Sequence, residues 1–219
     1  QMEQTNNLKY LKRVTIALLV VYSLFVLMNF LHGIWDFVFH FGNGELDFLI
    51  PIKNYTGVFH FVLYVLTHVL EICFMLVLNR FVKRNGIGKG YHFLIILLSF
   101  VPVANCFLFY IIKRGQNKAL FIYSGMRGIR SDRKIIATWV LMIAFVIYVF
   151  LIPLLTYYLN SPELVSEAAS FMSFSRLITD SYFLSTSIIW LIYYLEFKRM
   201  LDKVDLMRIQ INDNALLDN

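Results

Sequence analysis

The sequence has little charge, few cysteines and no long polar stretch. Only 16% of its 219 residues are charged, whereas about a quarter are charged in a typical soluble domain. No polar segment is long enough to build a separate soluble core. The two cysteines, Cys73 and Cys106, lie inside apolar blocks and outside any CxxC pair. The sequence therefore predicts neither a soluble domain nor a disulfide framework.

The motifs that accompany catalysis are also missing. There is no GxSxG nucleophile motif, no HExxH zinc motif and no run of histidine boxes. His68-x-x-Glu71 has the reverse of the Glu-x-x-His order that di-iron bundles use. The glycines at 86, 88 and 90 are typical of a flexible turn. We therefore expect no enzymatic activity, no cofactor and no metal site.

Long apolar blocks dominate what is present. Hydrophobic residues make up 59% of the chain and aromatic residues 17%, and the mean hydropathy is +0.66. The blocks have about 20 residues, the length that a helix needs to cross a bilayer. They predict an all-α integral membrane protein with four transmembrane helices, at residues 14–34, 56–79, 135–159 and 176–196. We expect residues 1–197 to form this membrane domain and residues 198–219 a short cytoplasmic amphipathic helix and tail.

A fifth apolar block, residues 91–112, is interrupted in its middle. Pro102 and Asn105 occur in the pattern F-x-P-x-x-N, beginning at Phe100. This interruption is similar in style to that of several small bacterial membrane proteins of unknown function. The Ile-, Phe- and Asn-rich composition also favours a bacterial source. The block either crosses the membrane or enters and returns. A return requires the exposed backbone at its turn to be buried in protein or to meet water.

The positions of the basic residues favour a return. Lysine and arginine near membrane ends favour the cytoplasm. If the block 91–112 is a re-entrant or broken helical hairpin, 18 of the 20 lysines and arginines fall on one side of the membrane. If it is a plain span, the basic segments 80–90 and 113–134 fall on opposite sides. We therefore predict a protein of the bacterial inner membrane with four spans plus a hairpin, and with both termini on the cytoplasmic side.

Ionisable and polar residues inside the membrane are costly and are often functional. The following set is predicted to be intramembrane and polar: His32, Asp36, His60, His68, Glu71, Asn105, Arg176 and Asp180. One interpretation is a polar cavity that opens to the outside and ends at a buried His68–Glu71 pair. The other is a hydrogen-bond network that fixes helix packing. Arg176 and Asp180 are spaced i, i+4 and are able to pair.

The loop 113–134 carries more basic residues than orientation needs. Its predicted partner- or lipid-binding residues are Lys113, Arg114, Lys118, Arg127, Arg130, Arg133 and Lys134. Basic residues near anionic headgroups contribute about 1 kcal/mol each. The net charge of +6 suits an acidic protein or membrane lipids as partners, and nucleic acid only indirectly.

Two functions remain open at this point. The first is a non-enzymatic inner-membrane subunit, homo-oligomeric, that senses or anchors at the membrane and recruits a cytoplasmic protein through the basic loops. Small multi-span subunits of bacterial phage-defence systems fit this profile by analogy. The alternative is an ion channel or proton-coupled transporter with His68, Glu71 and Asp180 along its path.

Overall fold

Five α-helices make up the part of the chain that the computed structural model describes, which is residues 2–41, 50–86, 95, 110–123, 129–159 and 165–217. No strand occurs within these residues. The helices are α1 (Met2–Phe41), α2 (Ile50–Arg84), α3 (Tyr110–Tyr123), α4 (Ile129–Leu159) and α5 (Val165–Leu217). The prediction of an all-α protein is therefore confirmed for the described chain.

Three helical segments are long and apolar enough to cross a membrane. They are Leu8–Trp35 of α1, Gly57–Arg84 of α2 and Arg133–Leu151 of α4. The predicted fourth span, residues 176–196, lies within α5 and is not among them. Asp180 and several Ser, Thr and Tyr residues lower the hydropathy of that segment. The predicted hairpin, including Asn105, falls almost entirely outside the described residues.

The segment that we predicted as a basic loop, residues 113–134, is largely helical. Most of α3 and the beginning of α4 lie inside it. Within α3, Ile112 and Leu120 are buried at an i, i+8 spacing, and Ile135 of α4 is also buried, so the basic residues occur on helices that contact the core. We predicted a loop because this segment has many basic residues, and we did not consider the spacing of its apolar residues.

The helices form an antiparallel bundle with an aromatic core. α1 packs against α2 and α5, and α4 packs against α5. Phe74, Tyr193, Tyr194 and Phe197 are fully buried at its centre. The Phe74 and Phe197 ring centroids are 4.9 Å apart and the rings meet edge to face, an arrangement that aromatic pairs favour.

Ion pairs bring the charged ends of several helices together. Lys12 at the start of α1 contacts Asp205 at 2.6 Å and Asp202 at 3.2 Å. Lys134 at the start of α4 contacts Glu196 at 2.5 Å. Since Phe74 of α2 also meets Phe197, the chain leaves α2 and enters α4 at the same end of the bundle. We call this the basic end, and the opposite end, near Asp180, the outer end.

α5 continues to the basic end without a break. The predicted boundary between residues 197 and 198 falls inside this helix. Phe197, Met200, Leu201 and Val204 are all buried, so the apolar face predicted for the C-terminal segment packs into the bundle. The same helix therefore extends from Asp180, near the outer end, to the basic end.

Candidate functional site

A buried ion pair joins α2 to α3. The Lys113 ammonium lies 2.7 Å from Oε2 of Glu71 and donates a second hydrogen bond, 2.9 Å long, to the Tyr194 hydroxyl. The other carboxylate oxygen of Glu71 accepts a 3.0 Å hydrogen bond from Tyr22. The Lys113 side chain is 1% exposed and that of Glu71 is 11% exposed. The pair thus links residues from four helices.

Aromatic rings surround the Lys113 ammonium. It lies 3.8 Å from the ring centroid of Trp190, 5.0 Å from that of Tyr193 and 5.1 Å from that of Tyr194. Ring faces carry negative partial charge, so a cation at these distances is attracted to them. Burial lowers the pKa of Lys113, and the Glu71 carboxylate acts in the opposite direction. The rings and the carboxylate together compensate for the loss of hydration.

The local sequence of α3 explains why this lysine points inward. Lys113, Gln116 and Asn117 are spaced i, i+3, i+4, so they share one helix face, and all three are buried. Gln116 donates a hydrogen bond to Asn79 of α2. Asn117 accepts one from the Tyr193 hydroxyl at 3.2 Å. The inward face of α3 therefore includes three polar side chains, and each has a polar partner on α2 or α5.

A cavity of about 590 Å³ borders the ion pair. Glu71, Lys113 and Trp190 lie in its wall, together with hydroxyl groups from Thr67, Thr186 and Ser187. The remaining lining is mainly apolar or aromatic and comes from all five helices: Tyr22, Phe25, Tyr64, Val65, His68, Val69, Tyr110, Met142, Phe145, Tyr182 and Phe183. Its size falls within the range of about 300–1,000 Å³ for small-molecule sites.

A second polar cluster lies nearer the outer end. His32 Nδ1 lies 3.4 Å from Oδ1 of Asp180. His60 Nε2 and Asn29 Oδ1 are within hydrogen-bond distance, and Asn29 donates to the Ser187 hydroxyl at 3.3 Å. The His32 and His60 ring centroids are 5.8 Å apart. The described residues contain no group of three or more acidic, histidine or cysteine side chains that could hold a metal ion.

The structure brings together several residues that the sequence singled out. His32, His60 and Asp180 meet at the outer cluster, and Glu71 lies deeper in the bundle. The predicted buried pair of His68 with Glu71 differs from the structure, because His68 is exposed and Glu71 contacts Lys113 and Tyr22. Viewed down the helix axis, Glu71 lies about 20° from His60, and His68 lies about 80° from His60. Glu71 therefore shares the inward direction of His60, and His68 does not.

Three of the predicted intramembrane residues have side chains that the structure does not describe. Asp36 lies on α1 and Arg176 on α5, with only their helical positions defined. The predicted pairing of Arg176 with Asp180 therefore stays a prediction. Asn105 lies outside the described residues altogether.

The predicted partner-binding residues divide into three groups. Arg114, Lys118 and Arg133 are exposed. Lys113 is fully buried, so its prediction as a surface contact is corrected, and Lys134 is half-buried against Glu196. Arg130 lies on α4 with an undescribed side chain, and Arg127 lies outside the described residues.

Sequence reasoning missed the partners of the ion pair. In the sequence, Tyr22, Trp190 and Tyr194 do not differ from the other aromatic residues of the apolar blocks. One signal was present on α1, where Thr15, Tyr22 and Asn29 recur every seven residues and are all buried. Such a repeat marks one helix face that packs against neighbours. No comparable signal indicates which aromatic residue approaches the lysine.

Comparisons with known proteins identified no relative of this chain. Neither family models, nor curated proteins, nor solved structures gave a match to this chain. The case for a function therefore depends on the geometry of this bundle.

Proposed function

We propose that this protein is a non-enzymatic subunit of a bacterial inner membrane, which senses a state of the membrane and recruits a cytoplasmic protein through its basic end. In this proposal it has four transmembrane helices, with α5 supplying the fourth, and acts as a homo-oligomer. Residues 91–112 enter and return, and both termini are cytoplasmic.

The shared end of α2 and α4 supports this topology. α2 ends with Arg80, Lys83 and Arg84, and α4 begins beside Lys134, at the basic end. A chain that leaves and re-enters at one end makes no net crossing in between. The positive-inside tendency then assigns the basic end to the cytoplasm.

The observation that carries the recruiting role is the accumulation of exposed cations at the basic end. All five helices contribute exposed basic side chains: Lys9, Arg13, Arg80, Lys83, Arg84, Arg114, Lys118, Arg133, Lys198, Arg199 and Lys203. Among the acidic side chains that the structure describes at this end, Glu196, Asp202 and Asp205 pair with Lys134 and Lys12. A strongly positive surface of this kind suits an acidic partner.

The sensing role rests on the position of α3. Its buried face holds Lys113 in the ion pair beside the cavity, and its exposed face carries Arg114 and Lys118. A change at the cavity that moves Lys113 would move the two exposed cations with it. α3 is therefore suited to connect the interior of the bundle with the surface that a partner contacts.

A co-purification experiment tests recruitment. The tagged protein is purified from host membranes in mild detergent, and bound proteins are identified by mass spectrometry. We expect one cytoplasmic protein with the wild type, and its loss when Arg114, Lys118 and Arg133 are all changed to Gln. Lys53→Gln, at the beginning of α2 and far from the basic end, should retain it. Equal recovery of that protein with the triple variant would contradict the proposal.

We propose a phage-defence system as the biological setting, by analogy with the small multi-span subunits of such systems. A strain that carries the intact system should resist infection. The triple variant at the basic end should lose this resistance while the protein remains in the membrane. Unchanged plating efficiency of phage on the two strains would count against this setting.

The outer cluster supports a second candidate, a channel or proton-coupled transporter. His32, His60 and Asp180 lie close together and are able to carry protons. Under this alternative, Asp180→Asn should abolish proton flux in liposomes and leave assembly intact. Under the recruiting function, wild-type and Asp180→Asn vesicles should hold an imposed pH gradient equally well.

A further inference from the structure

The cavity is lined by both apolar and polar residues. Its apolar lining includes Val65 and Val69 of α2 and Met142 and Phe145 of α4. These residues lie in segments of α2 and α4 that are long and apolar enough to cross a membrane. The apolar part of the cavity is therefore at the depth of the acyl chains.

The formal charges of the buried ion pair cancel. Glu71 and Lys113 neutralise each other at 2.7 Å, and both border the cavity. An added anion would face the Glu71 carboxylate, and an added cation would face the Lys113 ammonium. Either would bring an uncompensated charge into a buried site, which is costly. An uncharged head is able to share hydrogen bonds with the pair and with the hydroxyls of Thr186 and Ser187.

We propose that this cavity binds an uncharged amphipathic lipid drawn from the membrane. Its hydroxyl- or ester-bearing head lies against the Glu71–Lys113 pair, and its chain lies between Val65, Val69, Met142 and Phe145. The aromatic walls supplied by Tyr22, Tyr110 and Trp190 pack against the region that joins head to chain. This inference rests on the proposed function, because it specifies what the sensing part of the protein detects.

Occupancy of the cavity affects α3 through Lys113. The ammonium has three N–H donors, of which Glu71 and Tyr194 accept two, so a lipid head that accepts the third shares the ammonium with these two residues. Arg114 and Lys118 lie within five residues on the same helix. The binding of an uncharged lipid is thereby coupled to the position of cations at the basic end.

Trp190 provides a direct readout of occupancy. The chain has three tryptophans, and Trp190 lines the cavity while Trp35 and Trp139 do not. The Trp35→Phe/Trp139→Phe variant is placed in nanodiscs of unbrominated phosphatidylcholine. Three single-chain lipids, brominated close to the head, are then titrated in: a monoacylglycerol, an alkyl sulfate and an alkyl trimethylammonium. Bromine quenches tryptophan fluorescence only at contact.

We expect the monoacylglycerol to quench Trp190 in a saturable way, at a mole fraction about tenfold lower than either charged lipid requires, because only the charged heads leave a buried charge unpaired. Equal quenching by all three lipids would overturn the proposal, since it would report dissolved lipid at the protein surface. Tighter binding of the sulfate or the ammonium would overturn the assignment of an uncharged ligand.

Two neighbouring substitutions separate the cavity from the outer surface. Thr186→Phe fills the cavity, whereas Ser185→Phe adds the same ring at an exposed position. Saturable quenching should disappear in the first variant and persist in the second. Thr186→Leu serves the same purpose if the phenylalanine variant does not fold. Persistence of saturable quenching in a folded, filled variant contradicts the proposal.

The outcome is separable from that of partner recruitment. Quenching requires no cytoplasmic protein, and co-purification requires no added lipid. Recruitment without selective quenching would overturn the lipid site alone. Selective quenching without recruitment would overturn the recruiting function and leave the site in place.

Discussion

Lys113 and Glu71 are 42 positions apart in sequence, and their charged groups lie 2.7 Å apart inside the bundle. Their contact attaches α3 to α2, and Tyr194 attaches both to α5. A buried pair of this kind contributes little relative to a well-packed apolar pair, but breaking it leaves one charge unpaired. The pair therefore offers the most sensitive test of the packing described above.

Removing the carboxylate charge should destabilise the protein strongly. Glu71→Gln leaves the Lys113 ammonium buried without a counterion, and we expect a loss of about 3–5 kcal/mol in the free energy of unfolding. Adding Lys113→Met to that variant should restore most of the loss, because the unpaired charge is then removed. Denaturant titration in detergent micelles, followed by Trp fluorescence, measures both.

Lys118→Met is the matched control, since Lys118 is exposed on the same helix. Its effect should lie within about 0.5 kcal/mol of wild type. If Glu71→Gln were as mild as this control, the pair would not be buried as described.

The amide of Asn29 should matter to the outer cluster. Asn29 is 4% exposed and bonds to His60 and Ser187. Asn29→Ala leaves these groups without that partner, at an expected cost of about 1–3 kcal/mol. Ser23→Ala is the control, because the exposed Ser23 hydroxyl bonds only to the Leu19 carbonyl of its own helix among its described contacts. Thermal unfolding of the two variants measures the difference, and equal melting temperatures would refute the expectation.

Two glycines should respond in opposite directions to alanine. Gly86 has φ of 65° just after α2, a conformation that costs an L residue about 1 kcal/mol. Gly115 lies inside α3 with open space around its Cβ position, so alanine there should stabilise the helix by up to about 1 kcal/mol. The melting temperature should fall for Gly86→Ala and rise for Gly115→Ala. Shifts of the same sign would contradict one of the two backbone assignments.

Cysteine labelling tests the shared end of α2 and α4. In a variant with Cys73 and Cys106 replaced by Ala, single cysteines are introduced at Lys83, Lys89, Arg114 and Arg133. All four should react with a membrane-impermeant maleimide only in inside-out vesicles, because the proposed topology assigns them to the cytoplasmic side. Glu45→Cys, between the predicted spans 14–34 and 56–79, should react only in right-side-out cells. Labelling of Lys89 and Arg114 from opposite sides would refute the hairpin.

Composition and periodicity predicted the class of the protein and much of its outer cluster. Blocks of about 20 apolar residues require helices in a bilayer, and three of the four predicted spans are long and apolar enough to cross. His32, His60 and Asp180 were singled out because charge is rare inside spans, and they do lie together. These features depend on the local sequence, which explains why they could be predicted.

The ion pair could not be predicted, because it depends on tertiary contacts. A lysine at the end of an apolar block normally lies at the membrane surface. Lys113 is buried because Glu71, Tyr194 and Trp190, from two other helices, surround its ammonium. Neither charge counting nor helical spacing reveals which residues approach from elsewhere in the chain.

α5 contributes a partner to charged residues on α1, α3 and α4. Asp180 meets His32, Tyr194 meets Lys113, Glu196 meets Lys134, and Asp205 meets Lys12. From Asp180 to Asp205 the helix is continuous and about 38 Å long. A rotation of α5 about its own axis would change all these contacts at once. α5 thus couples these contacts to one another. Paired substitutions at its two ends should therefore have non-additive effects on the free energy of unfolding, despite their separation.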